Sequence, residues 1–226
     1  RYWPMTDSDR IDIRDARSIG EVDYIWRLNR CQHIAECAKR AYLIDDDLLK
    51  DIAVKQIRSW IEANPYKVGV NWTSPMEASI RCISWVLGIS FLIQDDDLPS
   101  DVASSVYHSL AKQMNYVFDN LSRYSSANNH LIAELTGLIT LGIVFGELGD
   151  GAKWREKAIR ELMQELSRQT SPDGVNKEQS IHYHSLVLDC LLWLITLFRR
   201  AHLDMPDIFW TCSERMCDFL AAIMDD

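Results

Sequence analysis

Apolar residues recur at the spacing of an α-helix along almost the whole chain, and this pattern limits the chain to folds built from helices. No segment alternates between apolar and polar residues as a half-buried β-strand does. The 226 residues contain only 9 Gly and 6 Pro, and 47% of them are hydrophobic, which is typical of a folded domain with long helices. Spacing and helix-stop signals predict helices at about 21–42, 46–63, 74–94, 100–123, 129–147, 151–169, 178–202 and 206–223.

The order and length of these helices predict how they pack. Consecutive helices are similar in length and are joined by short connections, so we expect antiparallel hairpins. The helices after His130 and Leu186 are apolar on almost every side, which places them between other helices. No strict repeat of the solenoid kind is recognisable. We therefore predict an all-α fold, an incomplete (α/α) toroid of antiparallel helix hairpins with a central cleft, as a single domain over residues 1–226.

The overall charge narrows the choice of partner. A net charge of −9 disfavours a nucleic-acid partner, because phosphate backbones are bound through basic surfaces. An anionic substrate would need a local basic patch against this overall sign. We find no signal peptide and no apolar run long enough to cross a membrane, so no membrane partner is predicted. The chain begins without Met and stops inside a predicted helix, which suggests a piece of a longer protein.

Cysteine usage gives a weak indication of the compartment. No two cysteines form a CxxC pair, and most lie inside apolar helical patterns, so we interpret them as buried thiols rather than as disulfides or zinc ligands. Thiols of this kind mildly favour a reducing compartment such as the cytoplasm. The six residues are Cys31, Cys37, Cys82, Cys190, Cys212 and Cys217.

Two acidic runs, "IDDDLL" at 44–49 and "QDDDLPS" at 94–100, raise the question of a magnesium site, since carboxylates favour that hard cation. Each run lies at a junction between two predicted helices, where Asp serves as an N-cap and interacts favourably with the helix dipole. We interpret both runs as caps and predict neither a metal site nor a cofactor for this domain.

The stretch "GVNWTSPMEASIRCISW" at 69–85 places polar and aromatic residues together. Asn71 and Trp72 lie in a loop before a helix on which Glu77, Arg81 and Trp85 follow one another at intervals of four and so share a face. One interpretation is an intrahelical Glu–Arg pair beside a core tryptophan, which contributes only a few tenths of a kcal/mol. The other is a sugar-binding surface. The sequence leaves both open.

The stretch "SSANNHLIAELTG" at 125–137 carries more polar groups than a helix start needs. One asparagine explains a cap, but Asn128, Asn129 and His130 stand together directly before an apolar helix. His and Asn at a helix start, with the nearby backbone N–H groups, suit the stabilisation of an anion that develops during a reaction.

A third stretch, "SPDGVNKEQSIHYHSLVLD" at 171–189, crowds titratable groups at the start of another apolar helix. His182 and His184 flank Tyr183, with Lys177 and Glu178 just ahead. One interpretation is a core tyrosine flanked by surface histidines. The other is a proton-transfer residue, because a tyrosine with its pKa lowered from about 10 can donate and accept a proton.

Together these segments resemble the N-terminal domain of the heparinase II/III family of polysaccharide lyases, which includes alginate lyases. The resemblance extends along nearly the whole chain. Four segments carry it in order: "DYIWRLNRCQHIAECAKRAY" at 23–42, "IRSWIEANPYKVGVNWTSPMEASIRCISW" at 57–85, "NNHLIAELTGLITLGIVFGE" at 128–147 and "SPDGVNKEQSIHYH" at 171–184.

The resemblance implies β-elimination at a uronic acid, in which the C5 proton is removed and the bond to the 4-oxygen breaks. It implies that Asn129 neutralises the uronate carboxylate, with His130 beside it. Tyr183 falls on the family's catalytic tyrosine, which supplies a proton to the leaving oxygen and could also act as the base. The polar positions expected to bind substrate are Glu77, Arg81, Asn71, Trp72, Asn128, Arg30, Lys177 and His184, with Asn29 and His33 as further candidates. Arg30, Arg81 and Lys177 could supply the local positive charge.

The chain departs from the family in one respect. Members continue into a β-sandwich domain that closes the cleft and contributes a further histidine, often a tyrosine and sometimes a structural metal. We therefore expect two partners, an acidic polysaccharide or oligosaccharide and the protein's own β-sandwich domain. This chain alone could be inactive. The family suggests a periplasmic or secreted protein, against the indication from the cysteines.

Two other functions remain open. One is a lyase-like domain that binds a polysaccharide without cleaving it. The other is an inverting glycoside hydrolase with an α/α toroid, which needs two carboxylates roughly 6.5–9.5 Å apart, such as Glu77 with Glu134 or Glu178. The polysaccharide itself is not identified by the sequence. The few basic residues weakly disfavour heparin as the substrate.

Overall fold

A computed structural model describes residues 3–15, 20–94, 98–146 and 148–224, and within these ranges the chain is helical, with no β-strand beyond two isolated bridges. Three 3-10 turns lie at Ser8–Arg10, Val70–Trp72 and Tyr124–Ser126. The α-helices are α1 (Val22–Asn29), α2 (Gln32–Ile44), α3 (Asp47–Ala63), α4 (Pro75–Leu92), α5 (Ser100–Asp119), α6 (Asn129–Val144), α7 (Gly151–Gln169), α8 (Ile181–Arg200) and α9 (Asp207–Ile223).

The helix predicted over residues 21–42 is wrong in one respect, because the chain breaks it into α1 and α2. Cys31 adopts a left-handed backbone with φ of 57°, which is uncommon for a residue other than glycine. The backbone N–H of Arg30 donates to the carbonyl of Trp26 at 2.9 Å and closes α1 there. Helical spacing runs through this break without a Gly or Pro, so the sequence carried no signal for it.

The chain divides into two compact units, residues 1–120 and residues 121–226. In the first, α2 packs against α3 and α4, and α5 packs against α3 and α4. Its core holds an aromatic group in which Trp60 meets Trp85 edge-on at 5.3 Å between ring centroids, and Trp72 meets Tyr116 at 5.6 Å. Such edge-to-face pairs stabilise a core beyond the apolar area they bury.

In the second unit, α6 packs against α7 and α8, and α8 packs against α9. In α6, Asn129 and every residue from Leu131 to Gly142 are buried, which confirms that this helix lies among other helices. Within the described residues, α8 is long and apolar enough to cross a membrane by length and composition, with 44% of its apolar stretch buried. The prediction that no apolar run is long enough to cross a membrane is therefore wrong for α8, and core helices of folded proteins meet the same criterion.

Helix caps account for the first acidic run. The Asp46 carboxylate accepts a hydrogen bond from the backbone N–H of Leu49 at 3.1 Å and caps α3, which confirms the capping interpretation there. In the second run, Asp95, Asp96 and Asp97 lie outside the described residues. The cysteines are free thiols; four are buried, Cys37 is half-buried and Cys217 is exposed. Burial raises the pKa of Cys82 and of Cys190 to about 12, so these two thiols stay protonated and unreactive.

Candidate active site

The start of α6 contains two asparagines with different tasks. Asn128 is the cap: its side-chain oxygen accepts a hydrogen bond from the backbone N–H of His130 at 3.2 Å. Asn129 instead holds a carboxylate. Its side-chain Nδ2 lies 2.9 Å from each carboxylate oxygen of Glu178, and its backbone N–H donates to Glu178 Oε2 at 3.0 Å.

This contact is a carboxylate-binding arrangement. An amide side chain and a backbone N–H at the first residue of α6 converge on one carboxylate, and the positive end of the helix dipole favours the negative charge. Asn129 is buried and Glu178 is half-buried, which strengthens the interaction relative to one in water.

Glu178 is the residue that sequence reasoning missed in this role. It reaches Asn129 from the segment before α8, where the Asn176 side chain accepts a hydrogen bond from the backbone N–H of Glu178 at 3.0 Å. The pattern Asn-x-Glu ahead of a capping serine was visible in the sequence, but nothing in it indicated a partner 49 residues away.

His130 and Tyr183 have uncommitted polar groups. His130 is half-buried, and its ring forms no hydrogen bond within the described part of the chain. Tyr183 lies in the first turn of α8 with 41% of its surface exposed, and its hydroxyl has no hydrogen-bond partner in the described ranges. Tyr183 is therefore not a core residue, which excludes the alternative interpretation of this position. It follows Glu178 by five residues, so Glu178 ties the segment leading to Tyr183 to the start of α6.

The core position in this stretch is His184. It is 2% exposed, its Nε2 donates to the carbonyl of Met216 at 3.1 Å, and its ring packs against Phe219 at 5.1 Å between centroids. The neighbouring Lys177 is exposed, and its ammonium group donates to the carbonyl of Arg168 at 2.6 Å. Of the two proposed substrate-binding residues Lys177 and His184, Lys177 lies at the surface and His184 does not.

The first unit contains the polar and aromatic residues of the stretch at 69–85, and there Glu77 and Arg81 are buried. Glu77 does not pair with Arg81 along the helix. It accepts two hydrogen bonds from Arg30, Nε to Oε2 at 2.7 Å and NH2 to Oε1 at 2.8 Å. This hydrogen-bonded pair raises the pKa of Arg30 above its usual value. Glu77 is 1% exposed, so the bidentate contact supplies the partner that a buried carboxylate requires.

Arg81 forms its hydrogen bonds with neutral groups. Its Nε donates to the Gln113 side chain at 2.7 Å, and its guanidinium lies 4.1 Å from the ring centroid of Trp60. The side chain is fully buried, and this burial lowers the pKa of Arg81 from its usual value. The intrahelical pair considered from the sequence is thus absent. The shared face of Glu77, Arg81 and Trp85 is interior.

The loop before α4 is fixed by the same group of residues. Asn71 donates to the side-chain oxygen of Asn64 at 2.7 Å, and Trp72 meets Tyr66 edge-on at 5.0 Å between ring centroids. Both Asn71 and Trp72 are buried. Asn29 and His33 line a separate cavity of about 540 Å³ in the same unit.

Glu134 is the remaining carboxylate considered for hydrolysis. It is fully buried on α6 and accepts hydrogen bonds from the backbone N–H and the hydroxyl of Ser122, both at 2.7 Å. Burial raises its pKa to about 7. Within the described residues, no group of three or more His, Cys, Asp or Glu side chains is placed to hold a metal ion.

A helical domain with a carboxylate-binding helix start fits the polysaccharide lyases as a class. Residues 1–225 match the protein family described as Heparinase II/III N-terminus. The chain therefore belongs to this family, and the resemblance inferred from its four segments is confirmed.

Two curated relatives are named heparin-sulfate lyase. The one from Bacteroides thetaiotaomicron is 27% identical over 165 residues, which cover 72% of this chain and 23% of the relative. The one from Pedobacter heparinus is 24% identical over 230 residues, covering 99% of this chain and 32% of the relative. The chain thus spans about a quarter to a third of the length of these relatives.

Solved structures establish the fold. Heparan sulfate lyase HepC from Pedobacter heparinus superposes with a TM-score of 0.72 at 22% identity, over 92% of this chain and 33% of that protein. Heparinase III superposes with a TM-score of 0.70 at 22% identity, over 85% and 30%. The predicted fold class, all-α with the antiparallel helix hairpins of an incomplete (α/α) toroid, is confirmed by this similarity and by the helices described above.

Proposed function

We propose that this chain is the helical catalytic domain of a lyase that cleaves a uronate-containing polysaccharide by β-elimination. The observation that carries the proposal is the contact in which Asn129 holds the carboxylate of Glu178 with its side-chain amide and its backbone N–H. A uronic acid presents the same chemical group. In the proposed complex the substrate carboxylate replaces that of Glu178 at these donors.

Neutralising this carboxylate is the chemical requirement of the reaction. The C5 proton of a uronate is barely acidic while the adjacent carboxylate keeps its full charge, because removal of the proton places further negative charge on that group. Hydrogen bonds from Asn129, and from His130 beside it, would stabilise the charge as it develops. The helix dipole at the start of α6 acts in the same direction.

Tyr183 would complete the elimination. The C5 proton passes to a base, the C4–O4 bond breaks with its electron pair going to O4, and a C4–C5 double bond forms. O4 then receives the phenolic proton of Tyr183. If Tyr183 acts as the base in its phenolate form, the same proton moves from C5 to O4. Its exposed hydroxyl, unengaged in the described part of the chain, is available for either role.

The remaining polar residues divide into surface and interior groups. Lys177 and the half-buried Arg30 are the cations proposed to attract an acidic chain. Glu77, Arg81, Asn71 and Trp72 are buried, so we propose that they act by fixing Arg30 and the loop before α4. His184 would likewise hold α8 in place, and Asn128 would cap α6.

The first test measures the ultraviolet absorbance of the unsaturated uronate product. Because its relatives are named heparin-sulfate lyases, heparan sulfate is the first substrate, followed by alginate and bacterial uronate polysaccharides. Both this chain and a longer protein that includes a β-sandwich domain are assayed. Replacing Tyr183→Phe should lower turnover by about a hundredfold or more while leaving the dissociation constant nearly unchanged. Loss of binding with unchanged turnover per bound substrate would contradict the assigned role.

Glu178 provides a second and independent test. If its carboxylate gives way to the substrate, Glu178→Gln should lower KM, because the competing negative charge is removed, and kcat should stay near the parent value. Asn129→Ala should lower kcat/KM by about a hundredfold. A fall in kcat of Glu178→Gln at constant KM would show that Glu178 positions Asn129 rather than yielding to substrate. Binding without product, by the longer protein as well, would favour a non-catalytic polysaccharide-binding domain.

A further inference from the structure

A second cavity, of about 320 Å³, lies in the first unit between the end of α3, the turn at Val70–Trp72 and the first half of α5. Its walls combine aromatic rings, hydroxyl groups and a cation. None of the residues described as lining it is acidic, although the chain has 33 acidic against 24 basic residues. The residues on which the following argument rests are Tyr66, Trp72, Ser105, His108 and Lys112.

The cation in this cavity is free to bind a ligand. Lys112 is exposed and forms no ion pair or hydrogen bond with the described residues. His108 lies one helical turn earlier on the same face of α5. Its Nδ1 donates to the carbonyl of Ser104 at 2.7 Å, so its Nε2 is the ring nitrogen left to meet a ligand. The ammonium group of Lys112 suits a negatively charged group, and the unprotonated Nε2 of this His108 tautomer can accept a hydrogen bond from a hydroxyl group.

The aromatic wall is rigid. Trp72 is 2% exposed and is held between Tyr66, at 5.0 Å, and Tyr116, at 5.6 Å between ring centroids. Tyr66 in turn is 39% exposed; its ring stands nearly perpendicular to that of Trp72, and the Nζ of Lys67 lies 5.6 Å from its centroid. An ordered ring that is partly exposed can pack against the C–H face of a sugar at little cost in side-chain entropy.

Hydroxyl groups complete the cavity. Ser105 donates its own proton to the carbonyl of Asp101 at 2.8 Å, which leaves its oxygen as an acceptor for a sugar hydroxyl. A site with an aromatic ring, an acceptor hydroxyl and an unpaired ammonium group complements a pyranose that carries an acidic substituent.

We infer that this cavity binds one anionic sugar unit, a pyranose with a carboxylate or a sulfate group, of the polysaccharide on which the protein acts. The ligand class rests on the proposed function, whereas the site itself uses none of the residues proposed for proton transfer. The ammonium group of Lys112 pairs with the acidic substituent, and the ring of Tyr66 packs against the sugar.

The test measures binding by calorimetry in the Tyr183→Phe background, so that turnover does not consume the ligand. The probes are a heparan sulfate hexasaccharide and its chemically desulfated counterpart. Lys112→Gln should weaken binding about tenfold, as expected for loss of a charged hydrogen bond, and Tyr66→Ala should weaken it as well. Lys55→Gln is the matched control, since Lys55 lines the cavity of about 540 Å³ in the same unit and pairs with Asp51 at 2.5 Å. The affinity of this variant for both probes should equal that of the parent.

The two probes separate the sources of the acidic group. If Lys112→Gln loses the same affinity for both probes, the acidic group is a carboxylate. If it loses affinity for the sulfated probe alone, the acidic group is a sulfate. NMR signals of the methylated lysine side chains provide a direct readout. The signal that is missing from the spectrum of Lys112→Gln is assigned to Lys112, and it should shift when the hexasaccharide is added to the parent. Binding unchanged in both cavity variants, or a failure of the parent to bind either probe, overturns the inference. Product formation by the protein that retains Tyr183 tests the proposed function separately.

Discussion

Glu134 carries a carboxyl group into the interior of the second unit, and its surroundings decide the charge it can bear. It is fully buried and accepts both of its hydrogen bonds from Ser122, which lies in the loop leading to Asn128 and Asn129. Burial raises the pKa of Glu134 to about 7, while the two hydrogen bonds and the nearby Arg123 lower it in part. Protonation of this one group therefore affects the anchoring of the loop that carries the candidate site.

This pKa predicts how stability depends on pH. Because the folded-state pKa lies above the unfolded value of 4.5, the stabilisation is fully present below about pH 4.5 and is lost as the pH rises through about 7. The loss should be on the order of 3 kcal/mol, the equivalent of the pKa shift. Glu134→Gln keeps hydrogen bonds to Ser122 but does not titrate, so its unfolding free energy should lack this decrease.

The measurement is urea unfolding of parent and variant at several pH values between about 4.5 and about 8. Other titrating groups contribute equally to both proteins, so the difference between the two free energies isolates Glu134. The difference should shift in favour of the variant as the pH rises. A difference that stays constant across this range would show that the Glu134 carboxyl keeps an ordinary pKa.

Contacts between residues that are far apart in the chain could not be predicted from the sequence. The sequence predicted that one asparagine caps α6, and Asn128 does so. It left Tyr183 open between a core residue and a proton-transfer residue, and only the exposure of Tyr183 excludes the core. The pairs Glu77 with Arg30 and Glu178 with Asn129 join residues 47 and 49 positions apart. Local spacing suggested Arg81 as the partner of Glu77, and packing brought Arg30 to it instead. The sequence thus offered candidate residues, but it did not indicate which of them are in contact.

At the scale of elements, the hairpin of α6 and α7 depends on a close approach at Gly142. A Cβ atom at this position would lie 2.6 Å from the Cβ of Arg155 and 2.7 Å from the carbonyl oxygen of Gly151. Backbone atoms of α7 cannot move away without shifting the helix. Glycine is therefore required in the interior of α6 even though it lowers helix propensity.

Gly142→Ala should consequently destabilise the protein, although alanine is the better helix former. We expect a loss of about 3 kcal/mol, since overpacking against backbone outweighs the gain of about 1 kcal/mol in propensity. Gly146→Ala is the control, because no atom lies within 4 Å of its added Cβ and only its positive φ of 58° is strained. That variant should lose only about 1 kcal/mol. Chemical unfolding compares the two; equal losses would mean that α7 adjusts to the added methyl group.

Helix existence was the most predictable property at this scale, and helix ends were the least. Each predicted helix is present because its apolar face repeats at helical spacing over several turns. The boundary between α1 and α2 was missed because a left-handed Cys31, rather than Gly or Pro, separates them. Predicted ends such as residue 123 for α5 extend beyond Asp119, since polar residues after the last buried turn give no sharp stop.

For the whole molecule, the fold class followed from helical periodicity, similar helix lengths and short connections, whereas the family required four segments in a particular order. The net charge of −9 opposes the acidic ligand proposed here, so cations must act locally in a protein that is negative overall. Lys112 and Lys177 are exposed cations of this kind. Long-range and short-range electrostatics therefore have opposite signs, and salt should affect the association and dissociation rates differently.

This opposition predicts an unusual salt dependence for binding of a heparan sulfate oligosaccharide to the Tyr183→Phe variant. Added salt screens the overall repulsion, so the association rate constant should rise between low and physiological ionic strength, whereas proteins steered by a basic surface lose association rate. The dissociation rate should also rise, because salt weakens the local contacts. A neutral oligosaccharide of equal length serves as the control, and its association rate should be insensitive to salt. Surface plasmon resonance measures both rates. If the association rate of the acidic oligosaccharide instead falls steeply with salt, the local cations steer the ligand in spite of the net charge.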